Sequence, residues 1–263
     1  MAEGILRSYV GDRFEVASAG THPSIVRPEA IEAMRETGID ISSHRSKSVD
    51  EFTGRPPDWV ITVCDNARSN CPVLPGAAAL HWRFDDPAAV EGSWEERLAA
   101  FREIRDRIAR RLRAFPPPAI RPAVEADRAA VDALLAGSEL VPVDLDERFG
   151  ESWIVAAREG SLVGVAGVEV HGEDALLRSV AVHADLRGAG LGAELAANRI
   201  AWARSRGLRA LYLLTTSAAG YWPRFGFERI DRGSAPAGVA GSNEWNSACP
   251  ASAIAMRLTF VSG

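Results

Sequence analysis

The sequence predicts an α/β protein built as two domains, and three observations carry that expectation. Short apolar runs of strand type alternate along the chain with runs of helical spacing. A proline-dense stretch, Phe115-Pro116-Pro117-Pro118-Ala119-Ile120-Arg121-Pro122, interrupts the pattern near the middle, where prolines end helices and stiffen a linker. A glycine-rich turn, Arg187-Gly188-Ala189-Gly190-Leu191-Gly192, joins a strand-like run to a helix-like one. At 263 residues there is room for two ordinary domains. The expected division is 1–115, a linker at 116–122, and 123–263.

In the first half, Trp59-Val60-Ile61-Thr62-Val63 reads as a buried strand, and Cys64 and Cys71 follow at its end. The arginine-rich stretch 97–113 has Glu95, Glu96, Glu103 and Asp106 interleaved with it, which at helical spacing predicts a solvated helix face. In the second half, 126–136 carries helical apolar spacing, and 153–157 with 162–170 form a hairpin around Glu159-Gly160. Residues 171–174 are a hairpin tip, 176–182 a strand, 190–206 a helix and 210–214 a buried strand. A turn with a short helix follows at 215–224, then a strand at 226–230, a Gly/Ser/Asn-rich loop at 233–247 and a last strand at 253–260.

Hydrophobic residues make up 47% and charged residues 25%, ordinary values for a globular protein with a full core. No apolar stretch approaches membrane-spanning length, and the first residues lack the pattern of a signal peptide. A cytoplasmic protein without membrane partners is expected. A net charge of −5 and a pI near 5.6 argue against nucleic acid. Three cysteines in such a chain argue against a disulfide scaffold and for redox or soft-metal chemistry, if any; no resident metal is expected.

The turn at 187–192 is a phosphate cradle by position, because a helix N-terminus offers outward N–H groups and a partial positive charge. Glycines let the backbone approach a pyrophosphate, and Arg187 adds a cation. The spacing Arg-x-x-Gly-x-Gly differs from a dinucleotide fingerprint and resembles the acyl-CoA loop of the GNAT superfamily of acetyltransferases. The order of elements from 126 to 230 agrees with that fold. The blocks Leu177-Arg178-Ser179-Val180-Ala181-Val182, Leu211-Tyr212-Leu213-Leu214-Thr215-Thr216, Phe225-Gly226-Phe227 and Ala248-Cys249-Pro250-Ala251-Ser252-Ala253 resemble the N-acetyltransferases found with arsenic-resistance genes.

The resemblance implies acetyl-CoA as cofactor and an amine as acceptor. Its pyrophosphate would lie on Arg187, Gly188, Ala189, Gly190, Leu191 and Gly192, and a strand amide near Val180, Ala181 or Val182 would polarise the thioester carbonyl. The tyrosine that usually protonates the thiolate falls, on alignment of Gly226-Phe227, at Trp222, with Tyr221 one residue earlier. An indole cannot deliver that proton, so Tyr221 is the candidate acid, with solvent as the alternative. Both rings are expected over the CoA arm or substrate. Thr215 stands where asparagine is common, and its hydroxyl is expected to cap the short helix. Glu169, inside an apolar run, is the candidate base; His171, Glu173, Asp174 and His183 are weaker ones. Arg178 reads either as a substrate-carboxylate clamp or as a surface charge. Cys249 reads as a small buried hydrophobe, with an arsenite-sensing thiol as the sharper alternative.

The first half has its own resemblance. Val63-Cys64-Asp65, Cys71-Pro72-Val73-Leu74-Pro75, His81-Trp82-Arg83-Phe84-Asp85-Asp86-Pro87-Ala88, Glu15-Val16-Ala17-Ser18-Ala19-Gly20-Thr21-His22 and Ser43-His44-Arg45-Ser46-Lys47 resemble the thioredoxin-coupled arsenate reductases, built on the low-molecular-weight tyrosine phosphatase fold. The resemblance implies that Cys64 and Cys71 are the resolving thiols, that thioredoxin is the reductant, and that Asp86 is the general acid. The fold class expected is therefore a truncated phosphatase-like parallel-sheet domain followed by a GNAT mixed-sheet domain. The family's Cys-x-x-x-x-x-Arg loop does not occur, since the sequence opens at Met1-Ala2-Glu3-Gly4-Ile5-Leu6-Arg7, which resembles the helix after that loop. Either the true start lies upstream, which the persistence of Cys64, Cys71 and Asp86 favours, or the half is a remnant kept as a scaffold.

The function expected is acetyl-CoA-dependent N-acetyl transfer in arsenic detoxification, with an amino-bearing organoarsenical or a related amino acid as acceptor. The alternatives are an arsenate reductase completed by upstream residues and a non-catalytic acyl-CoA-binding scaffold.

Overall fold

The computed structural model describes residues 1–52, 54, 57–63, 77–140 and 149–260. It divides into two compact units, Met1–Arg113 and Ala114–Gly263.

The first unit contains α1 (Ala2–Val10), α2 (Pro28–Arg35), the parallel strands β1 (Trp59–Thr62) and β2 (Ala78–His81), and α3 (Trp94–Leu112). Helix α2 starts on Pro28, whose missing N–H is one a helix start leaves unbonded anyway. Helix α3 is opened by a capping box between Ser93 and Glu96. Its Leu98, Phe101, Ile104, Ile108 and Leu112 recur at helical spacing and pack with Ile5, Ala33, Met34, Ile41 and Trp82 into the core. The opposite face carries the arginines: Arg97 pairs with Glu29, Arg102 with Glu36 and Glu95, and Arg107 with Asp85. The arginine-rich stretch is thus a solvated, ion-paired face.

The second unit is a seven-stranded mixed sheet of order β3-β4-β5-β6-β7-β9-β8. Its strands are β3 (Ala119–Pro122), β4 (Trp153–Arg158), β5 (Ser161–His171), β6 (Asp174–Val182), β7 (Ala210–Thr215), β8 (Glu228–Arg229) and β9 (Ile254–Thr259). Among the described strands of this sheet only the β6–β7 pair is parallel, because the crossover helix α5 (Leu191–Ser205) joins them. Helix α5 covers one face through Leu191, Leu195, Ala196 and Ile200. The other face is covered by α4 (Arg128–Ala136) over Trp153, Val155, Val165 and Ala181. Beside it lies a segment containing the short helix α6 (Ala237–Ala240) and a π-turn (Glu244–Ala248), whose Val239 and Trp245 pack on Leu176 and Tyr212.

The proline-rich seam holds more structure than expected. Ala119–Pro122 is an edge strand paired antiparallel with β4. An edge tolerates proline because one row of its backbone groups has no partner strand. In the opposite sense, the strand expected at 226–230 shrinks to Glu228–Arg229.

Candidate functional site

Strands β6 and β7 hydrogen-bond only at their beginnings, Asp174↔Ala210 to Leu176↔Tyr212. Beyond that β6 runs on to Val182 against β5, while β7 runs on to Thr215 against β9. The two strands therefore part into a V at the centre of the sheet. A bulge on β6 accounts for the parting: Val165↔Ala181 and Gly167↔Arg178 leave one extra residue on β6, and Ser179 within it has φ 56°. An extra residue bends and twists its strand. It also resets the alternation of side chains, so that Arg178 and Ala181 face α4 while Val180 and Val182 face α5.

The glycine-rich turn sits past the end of β6. Gly188 (φ 76°) and Gly190 (φ 91°) are left-handed, and Gly190 caps α5 at Leu191. Such angles cost an L-residue about 1–2 kcal/mol, which explains the glycines independently of any ligand. Arg187 braces the turn: Nε donates to the Val182 carbonyl at 3.1 Å and Nη2 to Ser138 Oγ at 3.2 Å. A Cβ added to Gly192 would lie 3.6 Å from Val182 Cγ2 and 3.8 Å from the Tyr221 hydroxyl. The Tyr221 phenol thus faces the first turn of α5 and the end of β6. Burial pushes its pKa up, against a smaller opposing effect of Arg224. The Arg224 guanidinium stacks 4.3 Å from the ring centroid. Trp222 lies in the apolar core against Phe227 at 5.6 Å. The Thr215 hydroxyl accepts the Ala218 N–H at 3.0 Å, turning the chain out of β7.

On the opposite face of the V, Trp153, Gly167 and Arg178 form one row across three strands. A Cβ on Gly167 would fall 2.6 Å from Trp153 ring carbons, so the indole lies directly on the glycine backbone. Arg178 is not a surface charge. Its side chain is 1% exposed, with Nη1 3.2 Å from Glu169 Oε2 and Nε 2.8 Å from Glu244 Oε2. Glu169 Oε1 lies 3.0 Å from His171 Nε2, and Glu169 keeps 26% of its side chain exposed. Glu244 was not expected from the sequence, where it sits in a polar loop with no periodicity. Cys249, nearby, is half-buried, and burial followed by the Glu244 charge pushes its thiol pKa up.

In the first unit, Glu3 on α1 is buried, and its carboxylate accepts from Ser18 N–H and Oγ and from Lys47 Nζ at 3.1, 2.5 and 3.2 Å. Burial pushes its pKa up, but the bonds from Ser18 and Lys47 outweigh this and hold it below the usual value. The group lines a cavity of about 330 Å³ with His44 and Ser46. Nothing in the sequence marked Glu3, because an acidic residue in a first helical turn is ordinary. Asp86 is exposed and caps the turn Pro87–Ala89 through the Ala88 N–H at 2.9 Å. Cys64 and Cys71 lie outside the described residues.

Comparison with known proteins agrees with both units. Residues 1–126 match the low molecular weight phosphotyrosine protein phosphatase family, and residues 121–227 match the acetyltransferase (GNAT) family. Arsenate reductase of Halalkalibacterium halodurans is 44% identical over 116 residues, which cover 44% of this chain and 84% of that protein. Arsenate reductase of Bacillus subtilis is 42% identical over the same shares. Among solved structures, a Mycobacterium tuberculosis protein in complex with CoA and NLQ is 21% identical with TM-score 0.45, covering 55% of this chain and all of that one. N-acetylglutamate synthase of Neisseria gonorrhoeae, with coenzyme A and N-acetyl-glutamate, is 20% identical with TM-score 0.47, covering 55% of this chain and 35% of that one. Through its first unit the chain belongs to the arsenate reductase family, and a GNAT acetyltransferase domain is fused behind it.

Proposed function

We propose that the second unit is an acetyl-CoA-dependent N-acetyltransferase, and that its acceptor is a small amine of arsenic detoxification, an amino-bearing organoarsenical or a related amino acid. The observation that carries the reading is the V between β6 and β7 with a left-handed glycine turn at its mouth. A thioester arm fits between parting strands because each edge leaves backbone N–H and C=O groups with no strand partner.

The residues fit the group. The turn 187–192 and the first turn of α5 hold the pyrophosphate, with Gly188 and Gly190 giving the backbone its approach. Acetyl-CoA supplies an activated acyl group. The backbone of Val180, Ala181 and Val182 polarises its carbonyl, and Tyr221 protonates the departing sulfur. The raised pKa of Tyr221 keeps its hydroxyl protonated at neutral pH, as an acid must be.

For the first unit we propose thioredoxin-linked thiol chemistry at Cys64 and Cys71, with Asp86 as proton donor. The support is the shared 44% identity with an arsenate reductase and the presence of both cysteines. Reduction of arsenate additionally needs a nucleophilic thiolate in an oxyanion loop. The whole protein is read as cytoplasmic; among the described residues no helix is long and apolar enough to cross a membrane.

The test is thiol release from acetyl-CoA with a panel of amines, including amino-bearing organoarsenicals, alongside CoA titration. Turnover with one acceptor supports the transferase. CoA binding without turnover of any amine supports the scaffold reading, and wild-type CoA affinity in Gly190→Glu removes the cradle from either.

A further inference from the structure

The turn Trp222–Phe225 is a 3-10 helix with proline in its first turn and the left-handed Gly226 (φ 89°) at its end. Side chains at i and i+3 eclipse in such a helix, and two pairs follow from that spacing. Trp222 and Phe225 stand 6.0 Å apart and lie, with Phe227, on the apolar core. Tyr221 and Arg224 form the second pair, with the guanidinium carbon 4.3 Å from the centre of the phenol ring. The core pair anchors the turn, which aims the other pair at the first turn of α5, near Gly192. The tyrosine backbone is fixed as well: its N–H donates to the Ala218 carbonyl at 2.9 Å, and the Ala218 N–H donates to the Thr215 hydroxyl. Trp222 at 5.3 Å and Phe225 at 5.6 Å close two sides of the ring, and Arg224 lies over its face.

Arg224 is exposed, and among the described residues no carboxylate pairs with it. Its charge is therefore not spent elsewhere in the protein. The elements opposite meet the phenol with uncharged groups, Gly192 from α5 and Val182 from β6, so Arg224 is the charge that acts on it. The sign of that action matters for an acid. A phenol that gives up a proton gathers negative charge on its oxygen, and it serves best when its pKa lies near the working pH. Burial carries Tyr221 away from that range, and the Arg224 cation pulls it back.

We propose that Arg224 is a positioning residue for acetyl transfer: it holds the Tyr221 phenol toward the head of α5 and stabilises the negative charge that develops on the phenol oxygen during proton transfer. The proposal rests on the transferase reading above and assigns Arg224 to the acid in place of the phosphates of the cofactor. As the neutral amine attacks the thioester carbonyl, the C–N bond forms and the C–S bond breaks. The phenol gives its proton to the departing sulfur, and the guanidinium faces the phenolate so formed. The phenolate regains a proton from solvent, which receives the one lost by the nitrogen, so that the sum is amide and thiol.

The experiment is single-turnover thiol release from acetyl-CoA by the full chain at saturating amine, with CoA affinity measured alongside, in wild type, Arg224→Lys, Arg224→Met, Arg224→Glu, Tyr221→Phe and the double variant Tyr221→Phe/Arg224→Met. Arg224→Met is expected to slow release by about three- to tenfold, the scale of one cation over one aromatic face, with CoA affinity within twofold of wild type. Arg224→Lys keeps at least half of the wild-type rate, and Arg224→Glu is slower than Arg224→Met. In the Tyr221→Phe background Arg224→Met changes nothing further, because its effect passes through the phenol. Release within 1.5-fold of wild type in both Arg224→Met and Arg224→Glu overturns the proposal. So does an Arg224→Met effect that persists undiminished beside Tyr221→Phe, or a loss of CoA affinity with the rate unchanged, which makes Arg224 a phosphate ligand. Absence of thiol release by wild type with every amine overturns the transferase reading, and this proposal with it.

Discussion

Gly167→Ala is the sharpest structural test of the row that holds Arg178 in place. The new Cβ would lie 2.6 Å from Cδ2 and Cε2 and 2.7 Å from Cε3 of Trp153. Carbon atoms rest at about 3.5–4.0 Å, so the indole has to retreat by roughly an ångström. It has nowhere open to go, since Trp153 is fully buried, with Phe149 at 5.4 Å on one side and the Arg178 guanidinium at 6.0 Å. Adding one methyl to a packed core costs typically about 1–3 kcal/mol, and a rigid aromatic ring as the obstacle puts this site at about 2–3. Two units in one chain make a single melting temperature ambiguous, so the assay is hydrogen exchange of β4 and β5 amides that open only with the whole unit. At tenfold per 1.4 kcal/mol, their exchange should quicken by about 30- to 150-fold. Exchange within threefold of wild type would refute the packing argument, because no clash of that size can be absorbed without loss.

Tyr221→Phe should lower kcat by about 10²-fold or more while leaving CoA affinity intact, measured by thiol release and titration calorimetry. Because burial raises the Tyr221 pKa, the alkaline fall of kcat in wild type should lie above pH 10, the ordinary tyrosine value. Cys249 should react with iodoacetamide more slowly than a free cysteine at pH 8, read by peptide mass spectrometry, since burial and then Glu244 raise its pKa; Glu244→Gln should speed it. Asp127→Ala should cost about 1–3 kcal/mol in urea unfolding, as the carboxylate accepts the Val124 N–H at 2.9 Å and two bonds from Arg121. The Arg121 bond depresses the folded-state pKa of Asp127, so this stabilisation is full above the ordinary aspartate value of 3.8 and is lost as pH falls through the lower folded value. Wild type and variant should therefore converge in strong acid.

What the sequence disclosed follows a physical line. The turn 187–192 was legible because left-handed backbone leaves a compositional mark, and Gly188 and Gly190 carry it. The bulge that opens the V was not, because its left-handed residue is Ser179, indistinguishable in sequence from any serine in a strand. The burial of Arg178 was hidden for another reason: its second partner, Glu244, arrives from a polar loop far along the chain, and no local pattern encodes such a meeting. Alignment on Gly226-Phe227 left Tyr221 and Trp222 in competition. The segment Trp222–Phe225 is a 3-10 turn, with 3.0 residues per turn in place of 3.6, and a count along an ideal helix misplaces such neighbours. The edge strand Ala119–Pro122 was masked by prolines that read as a linker.

The V and the two contrasting faces of β6 are consequences of one inserted residue. Without the bulge, side chains on β6 would alternate unbroken from Asp174 to Val182, and Arg178 would share its face with Val180 and Val182. The extra residue breaks that run, so the strand turns Val180 and Val182 toward α5, where Tyr221 and the glycine turn stand, while Arg178 stays on the face of Glu169 and Glu244. One face of the strand thereby carries apolar side chains beside the glycine turn, and the other carries a buried cation between two carboxylates. A single strand presents two such different faces to its neighbours only if its alternation is interrupted between them, and in this chain the interruption is at Ser179.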